Sequence, residues 1–293
     1  LQSTRGQAEW ALPPWTPLPP VASGQALNSN TAGTVRLELF MPSSFPAGLP
    51  VPMVAMMMDL QNRRVNFNGQ LKGEHSIAMK RGVGSGLLDQ VESKKIVLKA
   101  GSLSADKTIT IGNAKWQAVQ GPVTKSTTWN EGSRIHVTSN LTVAKSATLI
   151  IKQGCVIKLA PKTEVTVLGK LIVEGTKETP VVFCPETPDA PWGGITLKGS
   201  AASAEASWAF VTGSGGNSWW FVANNVPGTH RNEQAAFFLG EGAKGAFADC
   251  FFIDNAGQAF HGESAQLTLD RCVVQRCQTV GQFNGGSVKI RDS

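Results

Sequence analysis

The 293-residue sequence carries 27 basic and 21 acidic side chains, a formal net charge of +6, with 41% hydrophobic and 16% charged residues. No run approaches the roughly 18 apolar residues of a membrane helix, which argues against a membrane span. Lys and Arg are scattered, with Arg63-Arg64 and Lys94-Lys95 among the few adjacent pairs. That distribution argues against nucleic acid as a partner.

Residues 1–32 contain Trp10, Trp15 and the prolines of "ALPPWTPLPP". Proline fixes φ and removes donors, so this stretch reads as an extended arm lying on another surface. Residues 33–114 hold short β-type runs, among them "TVRLELFM", "PVPMVAMMMDL" and "KKIVLKAG". Alternation at Val35, Leu37 and Leu39 and the absence of helical periodicity predict a small antiparallel β-sandwich. Asn68-Gly69 reads as a tight hairpin turn. Met56-Met57-Met58, with no second Met cluster or nearby His, reads as a core strand rather than a soft-metal site.

From 115 to 293 the pattern changes. "RIHV", "NLTV", "ATLII", "CVIKL", "EVTVL" and "KLIVEG" follow one another across short turns. Runs this short suit stacked coils, in which every strand pairs with its counterpart one turn later. Asp249, Asp270 and Asp292 recur at steps of 21 and 22 residues, about the length of a coil of three short strands. With that register, Asp254 and Arg276 stand 22 residues apart and should form an ion pair. The fold expected is all-β: a right-handed parallel β-helix preceded by the sandwich and the arm. Ser293 falls where a strand should continue and residue 1 is Leu. The chain therefore reads as ending mid-coil and as cut or processed from something longer.

The residues from Trp116 to Trp192 resemble the opening of β-helix regions in large secreted bacterial proteins. The resemblance rests on Leu141-Thr142-Val143, Thr148-Leu149-Ile150-Ile151 with Gly154, Val165-Thr166-Val167 with Gly169 and Leu171, Gly175-Thr176, Pro180-Val181-Val182-Phe183 and Trp192-Gly193-Gly194-Ile195. Ser146 stands where glycine is usual. The pattern is similar to β-helices that accompany spore-coat-kinase-like (CotH-type) domains in planctomycetes and verrucomicrobia, although no such domain is visible here. It implies a secreted or cell-surface location and a parallel β-helix, and it carries over no activity, because this fold hosts enzymes and inert stalks alike.

Five cysteines (Cys155, Cys184, Cys250, Cys272, Cys277) lack zinc spacing and sit among apolar neighbours, as buried small hydrophobes do. "GSGGNS" and "GVGSG" lack the Lys-Ser/Thr or the βαβ unit of phosphate loops, so no cofactor is expected. Polar chemistry concentrates between Trp219 and Arg276. His230, Glu233, His261 and Arg276 are the candidate catalytic residues, and Trp219 and Trp220 are candidates for stacking on a sugar ring. Turn residues in coils carry the same residue types simply to satisfy backbone groups. The expectation is therefore a structural or interaction module, its β-helix a rigid scaffold for other chains or the remainder of a precursor. The alternative is a polysaccharide-processing enzyme or carbohydrate-binding module acting on an anionic glycan.

Overall fold

The computed structural model describes residues 34–89, 91–218 and 233–293. The expected arm at 1–32 lies outside them. In the N-terminal part, Val35–Phe40, Val51–Asp59 and Val83–Leu88 make an antiparallel three-stranded sheet with Val51–Asp59 in the centre. A five-stranded sheet runs Ser44–Pro46, Leu103–Gly112, Lys94–Ala100, Gly69–Gly73, Ile77–Met79. All its pairings are antiparallel except that of Ser44–Pro46 with Leu103–Gly112. Leu37, Leu39, Met53, Met57, Leu71, Ile96, Leu98 and Ile109 fill the core around these sheets. The Met run is a core strand, with Met57 fully buried.

Asn68-Gly69 is not a hairpin turn. Gly69 opens a strand, and the Asn68 side chain accepts a hydrogen bond from Arg81 N at 2.9 Å. The two-residue turn is Arg81-Gly82, where both φ angles are positive (51° and 80°). It is closed by Lys80 N to Val83 O at 2.8 Å and Val83 N to Lys80 O at 3.1 Å. The preference of Asn-Gly for such turns points to the wrong dipeptide here, because Arg81 adopts a conformation its residue type disfavours.

The remaining strands form one sheet wound into a right-handed parallel β-helix with three walls. Wall A stacks Thr127–Trp129, Thr148–Lys152, Lys170–Glu174, Ser203–Ser207, Lys244–Ala248, 266–270 and 287–291. Wall B stacks 134–137, Val156–Leu159, Val181–Pro185, Ala209–Thr212, Phe251–Ile253 and Val273–Gln275. Wall C stacks 141–143, Val165–Val167, Ile195–Leu197, Phe237–Leu239, 260–262 and 281–283. Gln117–Val123 lies beneath the first strands of walls B and C.

Inward positions alternate along each strand and stack into a dry column. Ile135, Val143, Leu149, Ile157, Val167, Leu171, Val173 and Leu197 are its aliphatic half. Further along, Phe237, Phe247, Phe252 and Phe260 fill the same column, with ring centroids 4.6–6.3 Å apart. Aromatic burial of this kind adds edge-to-face attraction to the removal of apolar area from water.

Residues in the left-handed region make the corners. Trp208, Asp249, Arg271 and Asp292 (φ 48–53°) stack at the corner from wall A to wall B, and Gly213, Asp254 and Arg276 stack at the corner leaving wall B. The aspartate series therefore shifts by one place. Ala248 pairs with Asp270 and Asp270 with Arg291, so Arg271 stands between Asp249 and Asp292, at steps of 22 and then 21. Charge accounts for the true register: Arg271 donates from Nε and Nη2 to both carboxylate oxygens of Asp249 at 2.8 and 2.7 Å. A column of three like charges at strand spacing would repel itself.

The N-terminal sheets pack on the outside of wall B. Val156, Val182, Cys184, Phe210, Phe251, Ile253 and Val273 point away from the coil interior and share one buried cluster with Leu39, Phe40, Met53 and Val54. Phe40 lies 5.5 Å from Phe251 and 5.8 Å from Trp208 between ring centroids. Polar ties ring this contact: Lys177 Nζ to Glu38 Oε2 at 3.0 Å, Ser85 Oγ to Gln275 Oε1 at 2.6 Å, and Arg276 Nη1 to Ser85 O at 2.9 Å.

Candidate functional site

The three corners of the coil are unequal. Connections from wall A to B and from C to A hold six residues or fewer, whereas two of those from B to C are longer, nine residues over 186–194 and 24 over 213–236. Long connections on a rigid frame are where sites are usually built, because they vary without disturbing the core. This edge is also where buried polar side chains gather.

Its floor is a stacked ladder. Asn255, almost fully buried, accepts from Ser214 N at 2.9 Å and Ser214 Oγ at 2.8 Å through Oδ1, and donates through Nδ2 to Val211 O at 2.9 Å and towards Cys277 Sγ at 3.5 Å. Asn255 thereby meets the Ser214 donor and the Val211 acceptor that the corner leaves beside the strand ladder. Above it lies a network centred on Gln234, which has no exposed surface. Gln234 accepts from Asn217 Nδ2 at 2.7 Å and donates to Glu164 Oε2 at 3.0 Å. Gly193 leaves the room for it: a Cβ there would lie 2.5 Å from Gln234 Oε1 and 2.8 Å from Asn217 Nδ2. The loops are thus pinned to the coil by neutral amides around one carboxylate.

Of the residues singled out by sequence, His230, Trp219 and Trp220 lie outside the described residues. Glu233, His261 and Arg276 are described, and among the described residues no hydrogen bond or ion pair joins any two of them. Glu233 accepts from Gln278 Nε2 at 3.1 Å. His261, on the outward side of wall C and 2% exposed, places Nε2 2.8 Å from Glu263 Oε1, and its ring packs on Phe238 at 5.6 Å. Glu263 Oε1 also accepts from Asn284 Nδ2 at 2.7 Å. Arg276 forks onto Asp254 (Nε to Oδ1 2.5 Å, Nη2 to Oδ2 2.6 Å) and reaches Ser85, so the ion pair foreseen from the 22-residue step exists and also ties the coil to the N-terminal part.

Sequence reasoning missed two groupings. His136 Nε2 sits 3.0 Å from Glu186 Oε1 with Lys158 Nζ 4.0 Å from the same oxygen, on the outer side of wall B near this edge. His136 and Glu186 are 50 residues apart because lengthened connections intervene, so no single repeat step links them. The second is the Gln234–Glu164 contact, which spans 70 residues. Between the N-terminal sheet and the same edge is a cavity of about 490 Å³, lined by Pro50, Leu87, Cys184, Pro185, Pro188 and the Asp254–Arg276 pair among others. Burial pushes the Cys184 thiol up to about 12, partly offset by the Lys158 charge, so it stays protonated. All five cysteines are free, and Cys155, Cys184, Cys250 and Cys272 are buried as expected of small hydrophobes. Among the described residues no group of three or more His, Cys, Asp or Glu side chains is placed to hold a metal ion.

Residues 121–217 match the family model of the pectate-lyase like beta helix domain. That match covers the first coils and the start of the long connection, and it agrees with the three-walled parallel sheet. No curated protein matches the chain, and neither does any solved structure. No helix among the described residues is long and apolar enough to cross a membrane. What the comparisons establish is a parallel β-helix of the pectate-lyase-like kind over residues 121–217.

Proposed function

We propose that this chain is a structural and interaction module of a secreted or cell-surface bacterial protein. Its β-helix serves as a stiff scaffold that carries the N-terminal β part and works alongside other chains or further parts of the same precursor. The observation that carries this reading is the single buried cluster joining the N-terminal sheets to wall B, with Phe40, Trp208, Phe210 and Phe251 at its centre. A contact built like a domain core holds the two parts in one orientation, which is what a scaffold requires. The candidate acid–base residues support it, because Arg276 and Glu233 are each engaged in tying loops or parts together.

Hydrogen exchange tests this: residues 34–112 and the coil should open as one cooperative unit, and separate opening at well-spaced free energies would refute it. A second reading, glycan processing, rests on the His261–Glu263 pair, whose 2.8 Å contact is that of an acid–base couple. Incubation with acidic and neutral glycans, followed by assay of new reducing ends and of unsaturated products, separates the two. Turnover lost in His261→Gln and in Glu263→Gln would establish processing; its absence leaves the scaffold.

A further inference from the structure

Among residues held at positive φ, three with large side chains have evident uses for them: Trp208 packs on Phe40, Arg271 forks onto Asp249, and Arg276 forks onto Asp254. Arg81 (φ 51°) is in the same conformation at the first position of a two-residue turn. Asn or Gly would be the stabilising choice there. Its backbone is held by Asn68, yet its guanidinium has no acceptor among the described residues.

The next residue must be glycine. A Cβ on Gly82 would lie 1.9 Å from Val65 O, and the stem of Arg64 already lies over it, with Cγ 3.1 Å from that Cβ position. Arg64 therefore runs along the turn beside Arg81, and its guanidinium too has no acceptor among the described residues. Burial and the neighbouring Arg81 charge both press its pKa down. Lys80 is exposed next to them. The nearby acids are already engaged: Asp59 with Arg63 at 2.7 Å, and Glu38 with Arg36 at 2.5 Å and Lys177 at 3.0 Å.

We infer that Arg64 and Arg81, with Lys80 beside them, form an anion-binding tip on the N-terminal sheet that takes the acidic groups of a glycan. The two arginines meet at Gly82, Arg81 preceding it and the Arg64 stem lying over it, and each carries a planar fork that matches carboxylate or sulfate oxygens in a bidentate way. The exposed amide of Asn66, between Val65 and Phe67 whose carbonyls approach Gly82, supplies a partner for hydroxyls. No aromatic ring at the tip is fully exposed for base stacking, Phe67 being half-buried, so single-stranded nucleic acid is the poorer fit.

The test is binding of the full chain, at low salt, to dextran sulfate, alginate, neutral dextran and a single-stranded DNA oligonucleotide. Binding is expected to dextran sulfate, alginate or both, to be absent with neutral dextran, and to weaken as salt rises. The double variant Arg64→Gln/Arg81→Asn should lose about tenfold or more in affinity, while its thermal midpoint stays level or rises because Asn suits the turn. Lys289→Gln, on the distant final strand, should bind like the native chain. Should the double variant lose stability, Arg81→Asn alone replaces it, with a loss of several-fold expected. Native-like binding by these variants, DNA binding as tight as that of the glycans, or equal retention by neutral dextran would each overturn the assignment.

Discussion

Walls A and B of the same coil solve opposite problems. On wall A, Thr148–Lys152 and Lys170–Glu174 alternate strictly: Leu149, Ile151, Leu171 and Val173 face in, while Lys170 and Glu174 face water and Lys152 pairs with Glu174 one coil on. On wall B, Val181–Pro185, Ala209–Thr212 and Phe251–Ile253 are buried at every position. A parallel strand covered on both sides reads as a continuous apolar run, whereas a half-exposed one shows a period of two. The difference teaches where the N-terminal part must sit, because wall B, unlike wall A, has an apolar outer surface that needs covering.

The largest effect expected from this contrast is at Phe251, which stacks on Phe210 at 4.6 Å beneath the N-terminal sheets. Phe251→Ala should lower stability by about 3–5 kcal/mol, as large-to-small core substitutions do. The matching outward position on wall A is Ala246, which is exposed, and Ala246→Ser there should change stability by less than about 0.5 kcal/mol. Denaturant midpoints measure both. Comparable losses at the two positions would mean that wall B is not covered in solution.

Thiol chemistry sharpens the same contrast. Cys184 faces outward on wall B yet is buried against the N-terminal part, and its thiol stays protonated up to about 12. At pH 8 a disulfide reagent should leave Cys184 unmodified in the native chain, and in Phe251→Ala its labelling should quicken by about tenfold or more as the cover loosens. Peptide mass spectrometry reads the site directly. Rapid native labelling of Cys184 would argue that the contact opens freely.

Much of this was legible before any coordinates. Wall A's alternation and the recurrence near 22 residues specify a coil, and the Asp254–Arg276 pair follows from that step alone. Two-sided burial leaves no period, so "PVVF" and "FADCFF" give strands without saying that their outer sides are covered. Register is weakly marked where Asp270 and Arg271 adjoin, and only the fork of Arg271 onto Asp249 reveals which of the two occupies the column. The His136–Glu186 and Gln234–Glu164 contacts were out of reach because connections of unequal length between walls B and C break the repeat that would have paired them. The Arg81-Gly82 turn was hidden for a different reason: arginine gives no local signal for a left-handed conformation.

A smaller effect separates the two corner arginines. Arg276 is bound both to Asp254 and to Ser85 across the contact, whereas Arg271 is bound to Asp249 and Asp270 within the coil. Both are substantially exposed, so neither pair is worth a buried bridge. Arg276→Gln should cost roughly 1–2 kcal/mol because it removes an inter-part tie together with the ion pair, and Arg271→Gln about half of that or less. Equal costs would place the value of both residues in the coil corners alone.

The smallest effect is electrostatic and belongs to wall B's rim. Burial alone would raise the pKa of Glu38, but the hydrogen bonds and charges of Lys177 and Arg36 outweigh it and leave the carboxyl below its ordinary value. A carboxyl depressed in the folded state contributes stability that is fully present above the unfolded value, near 4.3, and is lost as pH falls through the folded one. Because the pair is partly solvated, the contribution should stay under about 1 kcal/mol. Stability measured from pH 7 down to pH 3 should therefore fall slightly less steeply in Glu38→Gln than in the native chain. Lys177 reaches Glu38 from the coil and lies over Phe40 at 5.3 Å, so Lys177→Met should flatten the same limb while keeping the packing of its stem. If the two variants and the native chain gave superimposable acid limbs, the rim would contribute no measurable electrostatic hold, and the union of the two parts would rest on its apolar centre alone.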